Sequence, residues 1–122
     1  MTPTSRTMAY LRGLGYEVAV VEKWNAYTRT RHDLYGFADL LAMRGIELLA
    51  VQATSTGNVR ARVKKILAEP RALKWVEPGS QRFLTVIGWA KRGGKGKRKL
   101  WTMKQVVVDA GMFNSGNAAE SE

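Results

Sequence analysis

The segment LYGFADLLAMRGIELLAVQATS, residues 34–55, contains two apolar runs on either side of Arg44-Gly45 and predicts an antiparallel β-hairpin. With the turn centred near Gly45, paired residue numbers sum to about 91, so that Asp39 lies opposite Gln52. Thr54 lies two positions beyond Gln52 and shares its face of the sheet. The hairpin therefore gathers a carboxylate, an amide and a hydroxyl on one face.

Asp39 interrupts an apolar run that is otherwise suited to burial on both faces of a sheet. A buried carboxylate is costly unless it is paired with a cation or coordinates a metal. A salt bridge to an arginine and a metal site both satisfy Asp39, and the sequence leaves both open.

The remaining periodicities predict one small α/β domain over residues 1–113. In the amino half, the pattern predicts a helix over 4–14, a strand over 16–24, a loop over 25–33 and the hairpin strands 37–43 and 48–54. A second helix begins at residue 59, is capped by Asn58, and is ended or kinked by Pro70. A helical turn over 72–76 and strands over 83–89, 100–103 and 106–108 follow. The order α-β-β-β-α-β-β indicates a mixed central sheet flanked by helices. Residues 114–122 lack large apolar side chains, which predicts a disordered tail.

The chain of 122 residues has 20 Lys and Arg against 10 Asp and Glu, a formal net charge of +10. Residues 1–50 hold six basic and five acidic side chains, residues 51–100 hold thirteen and two, and residues 101–122 hold one and three. A basic middle beside a nearly neutral amino half indicates a contact face for a polyanion. A solvated face without a partner explains the same count.

Several classes of protein are excluded by composition. The absence of cysteine excludes disulfide frameworks, thiolate zinc sites and cysteine nucleophiles. Apolar runs such as residues 18–21 and 48–51 are far shorter than the ~20 residues of a membrane helix. The amino end also lacks the pattern of a secretory signal. These observations predict a soluble, cytoplasmic protein.

Basic and polar side chains on both sides of the hairpin are candidates for phosphate contacts. They fall in the 25–33 loop, around the start of the helix from residue 59, and in the loop AKRGGKGKRK at 90–99. The set comprises Arg29, Arg31, Ser55, Asn58, Arg60, Lys64, Lys91, Arg92, Lys95 and Lys97.

The motifs LYGFAD at 34–39, VQATS at 51–55 and RVKKI at 62–66 resemble the core of the PD-(D/E)XK nuclease superfamily, in particular small phage and archaeal Holliday-junction resolvases. The resemblance covers roughly residues 4–103. It implies a restriction-endonuclease-like core and hydrolysis of DNA phosphodiesters that depends on Mg²⁺ or Mn²⁺. It also implies branched DNA as substrate and a homodimer acting in a bacterial or phage-infected host cell.

By this resemblance Asp39 is the metal-binding aspartate, and the carbonyl of Ala53 is a further ligand. Gln52 occupies the second acid position, and Thr54 occupies the position of the usual catalytic lysine. These two residues depart from the family pattern. An amide still offers an oxygen to a hard cation but lacks the carboxylate charge, and threonine cannot supply the charge of lysine.

Other side chains could supply the negative charge that Gln52 lacks and the positive charge that Thr54 lacks. Glu22, on the strand beside the hairpin, could restore the negative charge, although a solvated strand carboxylate explains it equally well. Asp33 is a third acid, which a loop cap also explains. Arg62 and Lys65 share a helical stripe with Asn58 and could supply the missing positive charge. Such a stripe is equally typical of a solvated surface.

The sequence thus predicts a metal-dependent DNA endonuclease. Two alternatives stay open. The Gln52 and Thr54 departures favour a non-catalytic nucleic-acid-binding protein on the same fold. The charge alone also fits a basic regulatory subunit that binds an acidic protein.

Overall fold

A computed structural model describes residues 2–93, 96 and 98–113, with the backbone alone for Trp24, Arg31 and His32. The predicted tail at 114–122 lies outside the described residues. In chain order the elements are α1 (Pro3–Gly13), β1 (Glu17–Val20), β2 (Lys23–Asn25), β3 (Thr30–His32), β4 (Leu40–Arg44), β5 (Glu47–Ser55), a 3-10 turn (Thr56–Asn58), α2 (Val59–Leu67), α3 (Pro70–Trp75), β6 (Arg82–Arg92) and β7 (Leu100–Val108).

Five strands form one mixed sheet in the order β1-β4-β5-β6-β7. Strands β5 and β6 run parallel, and the other neighbours run antiparallel. The segment containing α2 and α3 connects the parallel pair, since parallel neighbours require a crossover. Strands β2 and β3 form a separate two-stranded ribbon. The predicted α/β class with a mixed central sheet is confirmed, and the ribbon is an addition to the predicted order.

The β4–β5 hairpin has the predicted register. Leu40 pairs with Val51 and Arg44 with Glu47, and in each pair the residue numbers sum to 91. The regular ladder ends at Leu40, because the Asp39 N–H also donates to the carbonyl of Val51, at 3.0 Å, so that Asp39 and Leu40 both lie opposite Val51. Gly45 in the turn has φ 58°, a left-handed conformation in which glycine has no Cβ to clash.

The sheet separates two apolar layers. Leu11 of α1 packs with Val51 on one face, and Ile66 of α2 packs with Ala50 on the other. Successive side chains of a strand alternate between faces, so Gln52 lies on the same side as Ala50, toward α2. No helix in the described part of the chain is long and apolar enough to cross a membrane.

The region between β1 and β4 differs from the prediction. The strand predicted over 16–24 ends at Val20, and the loop predicted over 25–33 contains a strand, Thr30–His32, that pairs with Lys23–Asn25. Both partners of this ribbon are short and largely polar. Apolar periodicity, the main signal of a strand in a sequence, is therefore missing from them.

Three details after β5 also differ. Asn58 precedes α2 but its side chain accepts no capping hydrogen bond, and its Nδ2 donates to Ser55 Oγ at 3.1 Å across the 3-10 turn. Pro70 does not end α2, which stops at Leu67, but is the first residue of α3. The strands predicted over 100–103 and 106–108 are one strand, β7, because β6 provides a continuous partner.

Gly88 allows the connection after β5 to lie directly on the sheet. A Cβ placed on Gly88 would overlap Val59 Cγ2 and lie 2.9 Å from Thr56 Cα. Gly88 pairs with Thr54, so this close contact lies beside the end of β5. It brings the 3-10 turn and the first turn of α2 next to that end.

We expect Gly88→Ala to lower the free energy of unfolding by about 1–3 kcal/mol, because the new methyl group must displace backbone as well as side chain. Urea unfolding followed by circular dichroism measures the change. Gly13→Ala is the matched control, since nothing lies within 4 Å of its added Cβ and alanine favours the helix. Equal unfolding midpoints for the two variants would contradict the close packing at Gly88.

Candidate active site

A cleft of about 750 Å³ opens at the carboxyl end of β5. The start of α1, the residues that follow β1, the residue before β4, the end of β5 and the first turns of α2 form its walls. It brings together eight of the predicted site residues: Glu22, Asp39, Gln52, Ala53, Thr54, Ser55, Asn58 and Arg62.

Asp39 is the most buried acid of the cleft, with 5% of its surface exposed. The backbone N–H of Ala53 donates to Asp39 Oδ1 at 3.1 Å, and Gln52 Nε2 lies 3.5 Å from Oδ2. The two side chains are neighbours on one face, as the sequence predicted, although the backbone pairing of β4 with β5 stops at Leu40 and Val51. Among the described side chains, no arginine or lysine forms a salt bridge with Asp39, so that explanation of the buried carboxylate is not supported.

Burial raises the pKa of Asp39 from 3.8 to about 6. The hydrogen bond from Ala53 acts in the opposite direction, while the negative charges of Glu22 and Asp33 raise the pKa further. At neutral pH the carboxylate is therefore ionised in surroundings that disfavour its charge. A cation beside it would offset both the burial and the repulsion.

The backbone of Ala53 faces Asp39 rather than β6. Along β5, alternate residues hydrogen-bond to opposite neighbours, and Val51 already bonds to β4 through its contact with the Asp39 N–H. Ala53, two residues later, donates its N–H to the Asp39 side chain. The N–H and C=O of one strand residue point to the same side, so the Ala53 carbonyl also faces the cleft.

Arg62 reaches the cleft from α2, and Lys65 does not. Arg62 is half-buried and lines the cleft beside Asn58, whereas Lys65 is exposed and lies outside it. Lys65 is almost one turn further along the axis, about 4.5 Å from the level of Arg62. Of the two residues predicted to share a helical stripe, only Arg62 therefore lies at the end of β5 that carries Thr54.

The acids of the cleft do not form a preorganised carboxylate cluster. Within the described residues, no group of three Asp, Glu, His or Cys side chains lies close enough to hold a metal ion. The donor set that fits a hard cation is the Asp39 carboxylate, the Gln52 amide oxygen and the Ala53 carbonyl. Mg²⁺ commonly binds one or two carboxylates and keeps several waters. Rotation of the Gln52 amide would turn its oxygen toward such an ion.

The predicted phosphate-contact residues are spread over several places. Ser55 and Asn58 line the cleft, while Arg60 and Lys64 are exposed on α2 outside it. The other described members lie in the β2–β3 turn and at the end of β6, and they are Arg29, Lys91 and Arg92. Lys95, Lys97 and the side chain of Arg31 lie outside the described residues.

The helix α1 contributes to the cleft, which was not predicted from the sequence. Thr2, Pro3 and Thr4 line the cleft. Thr2 is the helix cap, since its hydroxyl oxygen accepts a hydrogen bond from the Ser5 N–H at 3.1 Å. The helix predicted over 4–14 therefore begins one residue earlier, at Pro3, because Thr2 and Ser5 form a reciprocal capping box. The capping box carries no information about which part of the sheet the helix end will meet.

A scan against protein-family models, a search of curated proteins and a search of solved structures each found no match for this chain.

The raised pKa of Asp39 predicts a stability cost that depends on pH. Below pH 3.8 the carboxyl group is largely protonated in both the folded and the unfolded chain. As the pH rises from there to about 6, the folded protein holds the proton more tightly, so stability falls. Above about pH 6 the full cost remains, on the order of 2–3 kcal/mol.

We expect Asp39→Asn to raise the free energy of unfolding by about 2 kcal/mol at pH ~8 and to change it little at pH ~4, because asparagine keeps an acceptor for the Ala53 N–H without a charge. Urea unfolding in the presence of a chelator measures both values. Glu17→Gln, on an exposed strand position, controls for net charge. A gain of equal size at both pH values would contradict the ionised, buried state of Asp39.

Proposed function

We propose that the protein is a metal-dependent DNA endonuclease whose reacting phosphate lies in the cleft beside Asp39. The observation that carries this proposal is the buried Asp39 carboxylate, which meets the Gln52 amide and the Ala53 backbone at the open end of β5. Its charge is unbalanced by any described basic side chain within salt-bridge distance. Such an arrangement lowers the stability of the free protein, and a bound cation would offset that cost.

Asp39, Gln52 and Ala53 would hold the divalent ion, Mg²⁺ or Mn²⁺. When bound, the ion would polarise the phosphate and lower the pKa of an attacking water. Above pH ~6 Asp39 is ionised and able to bind it. Glu22 lines the same cleft, adds a second negative charge and provides a proton acceptor near the reacting group.

Arg62 would carry out the electrostatic role that Thr54 lacks. Displacement at a phosphodiester concentrates negative charge on the phosphate oxygens, and a fixed cation beside them lowers the barrier. The guanidinium also offers a planar pair of N–H donors that matches two phosphate oxygens. Arg62 is held by α2 at the cleft wall, which limits how far its side chain must reorganise during the reaction.

The substrate class follows from charge and resemblance together. A net charge of +10, concentrated in residues 51–100, favours a nucleic acid. Branched DNA as the preferred form and a homodimer as the active state are proposed on the resemblance to Holliday-junction resolvases.

A non-catalytic nucleic-acid-binding protein is the second candidate. The neutral Gln52 and Thr54, at the two positions where the nuclease pattern has charged residues, favour it. It shares the basic surface with the first candidate and differs in chemistry alone.

Incubation of the protein with a labelled four-way junction and with linear duplex, with and without Mg²⁺, tests the proposal. We expect cleavage that requires the metal, is faster on the junction, and falls by at least about 100-fold in Asp39→Asn, because the main metal ligand loses its charge. Glu17→Gln should cleave like the parent protein. Binding without cleavage under all metal conditions would support the second candidate, and absence of DNA binding would contradict both.

The role of Arg62 has its own test. We expect Arg62→Ala to lower the single-turnover cleavage rate by about 2–4 kcal/mol in barrier, or roughly 30- to 1000-fold, through loss of one preorganised donor. Lys65→Ala removes the same charge from the same helix outside the cleft and should leave the saturated rate unchanged. If Arg62→Ala weakens binding but keeps the parent rate at saturation, Arg62 is an ordinary phosphate contact.

A further inference from the structure

Three residues that are distant in sequence form a cationic cluster on the α1 face of the sheet. The guanidinium carbon of Arg6 lies 3.6 Å from the ring centroid of Trp101, and Lys91 Nζ lies 5.6 Å from the same centroid. Lys91 and Trp101 are paired across β6 and β7, and Arg6 belongs to α1. Trp101 keeps 41% of its surface exposed. We refer to these residues as the Arg6–Trp101–Lys91 cluster.

Within the described part of the chain, this cluster differs from the other stacked arginines. Each of those stacks on an aromatic ring and also forms an ion pair with a glutamate. They are Arg44 on Tyr16 with Glu47, Arg71 on Tyr35 with Glu69, and Arg82 on Trp75 with Glu77. Neither Arg6 nor Lys91 forms an ion pair with a described carboxylate, so the cluster holds two uncompensated positive charges near one ring.

Arg6 also has an unsatisfied donor. Its Nε atom is buried and has no hydrogen-bond partner among the described groups. A buried donor without a partner, beside a second cation, is an unfavourable arrangement in the free protein. An anion bound at the cluster would relieve the repulsion between the two cations, whereas the buried Nε lies out of its reach.

The geometry of the stack selects the kind of anion. A guanidinium that lies flat on an indole keeps its N–H donors in its own plane, directed past the ring, where they can bind two oxygens of a phosphate. The Lys91 ammonium adds a compact charge beside it. Trp101 orients the arginine and needs no contact with a base. The cluster therefore suits a phosphodiester backbone of any sequence.

The cluster and the cleft lie at the same end of the sheet. Ser55 at the cleft pairs with Trp89, and Lys91 is two residues further along β6. The Trp101 side chain lies on the α1 face, and Gln52 and Thr54 lie on the α2 face. Strand spacings of about 4.8 Å and a rise of about 3.3 Å per residue place the Trp101 backbone on the order of 10–15 Å from the end of β5. With one base pair per 3.4 Å of duplex, this distance spans roughly three to four base pairs.

We propose that the Arg6–Trp101–Lys91 cluster binds a backbone phosphate of nucleic acid about three to four base pairs from the phosphate in the cleft. The inference rests on the proposed function for the identity of its ligand. The cluster would set the direction in which the nucleic acid crosses the end of the sheet, with α1 lying between the two contact points.

Titration of a fluorescently labelled linear duplex across a salt series, in the presence of a chelator, tests the proposal independently of cleavage. We expect Arg6→Ala to weaken binding about tenfold and to reduce the salt slope by about 1. Trp101→Leu should weaken binding by a similar factor although it removes no charge, because Arg6 loses its support. Trp101→Phe keeps a ring and should lie between that variant and the parent protein.

One variant serves as a matched control. Arg12→Ala removes a charge from the last turn of the same helix, α1. It should bind within about twofold of the parent protein, because charge effects at that distance are largely screened at moderate salt. Circular dichroism melting of every variant confirms that it is folded.

The outcomes separate the two proposals. If the parent protein binds DNA and Arg6→Ala binds like Arg12→Ala, the cluster proposal is wrong while the proposed function stands. If Arg6→Ala binds weakly and both Trp101 variants bind like the parent protein, Trp101 does not orient Arg6. The three-residue cluster proposal is then wrong, and Arg6 alone contacts the phosphate. If the parent protein binds DNA without cleaving it and the cluster variants weaken binding, the cluster is supported and the nuclease proposal is contradicted. If the parent protein does not bind DNA, both proposals fail.

Discussion

The hydrogen bond from the Ala53 N–H to the Asp39 carboxylate is the contact around which the site is organised. Beyond Leu40 the regular rungs between β4 and β5 end, and this side-chain contact follows the last backbone bond, from Asp39 N–H to Val51 carbonyl. The bond satisfies one donor of β5 that β4 no longer reaches. It also holds the carboxylate against the strand that carries Gln52. The site therefore follows from the way the hairpin ladder ends.

The crossover after β5 completes the cleft. Because β5 and β6 are parallel, the chain must leave the end of β5, cross one face of the sheet and return to the start of β6. The close contact over Gly88 holds the beginning of this crossover against the sheet. The first turn of α2 then stands over Thr54, which brings Arg62 to the cleft. Cleft wall and core packing are built by the same helix. Its inner face holds Val59 and Ile66 in the core, while Arg62 lies at its edge.

Opposite charges are separated over a short distance. Glu22, Asp33 and Asp39 line a cleft in a chain whose net charge is +10. Arg6 and Lys91, which form no ion pair with a described carboxylate, lie around the same end of the sheet. Acids that stand close together raise the pKa of the most buried member, and cations without acidic partners repel each other. Both stresses are of the kind that bound ions relieve. A polyanion together with a divalent cation would balance the two regions at once.

The sequence by itself determined the hairpin register, the α/β class and the helix that begins at residue 59. In each of these, residues close along the chain set the pattern, through alternation in strands and helical spacing in α2. Only the tertiary structure decided that Arg62 rather than Lys65 lines the cleft, that Thr2–Thr4 form part of its wall, and that Arg6 stacks on Trp101. The β2–β3 ribbon was hidden as well, because polar strands leave no periodicity. These contacts join residues far apart in the chain, and they depend on how whole elements pack, which local patterns do not encode.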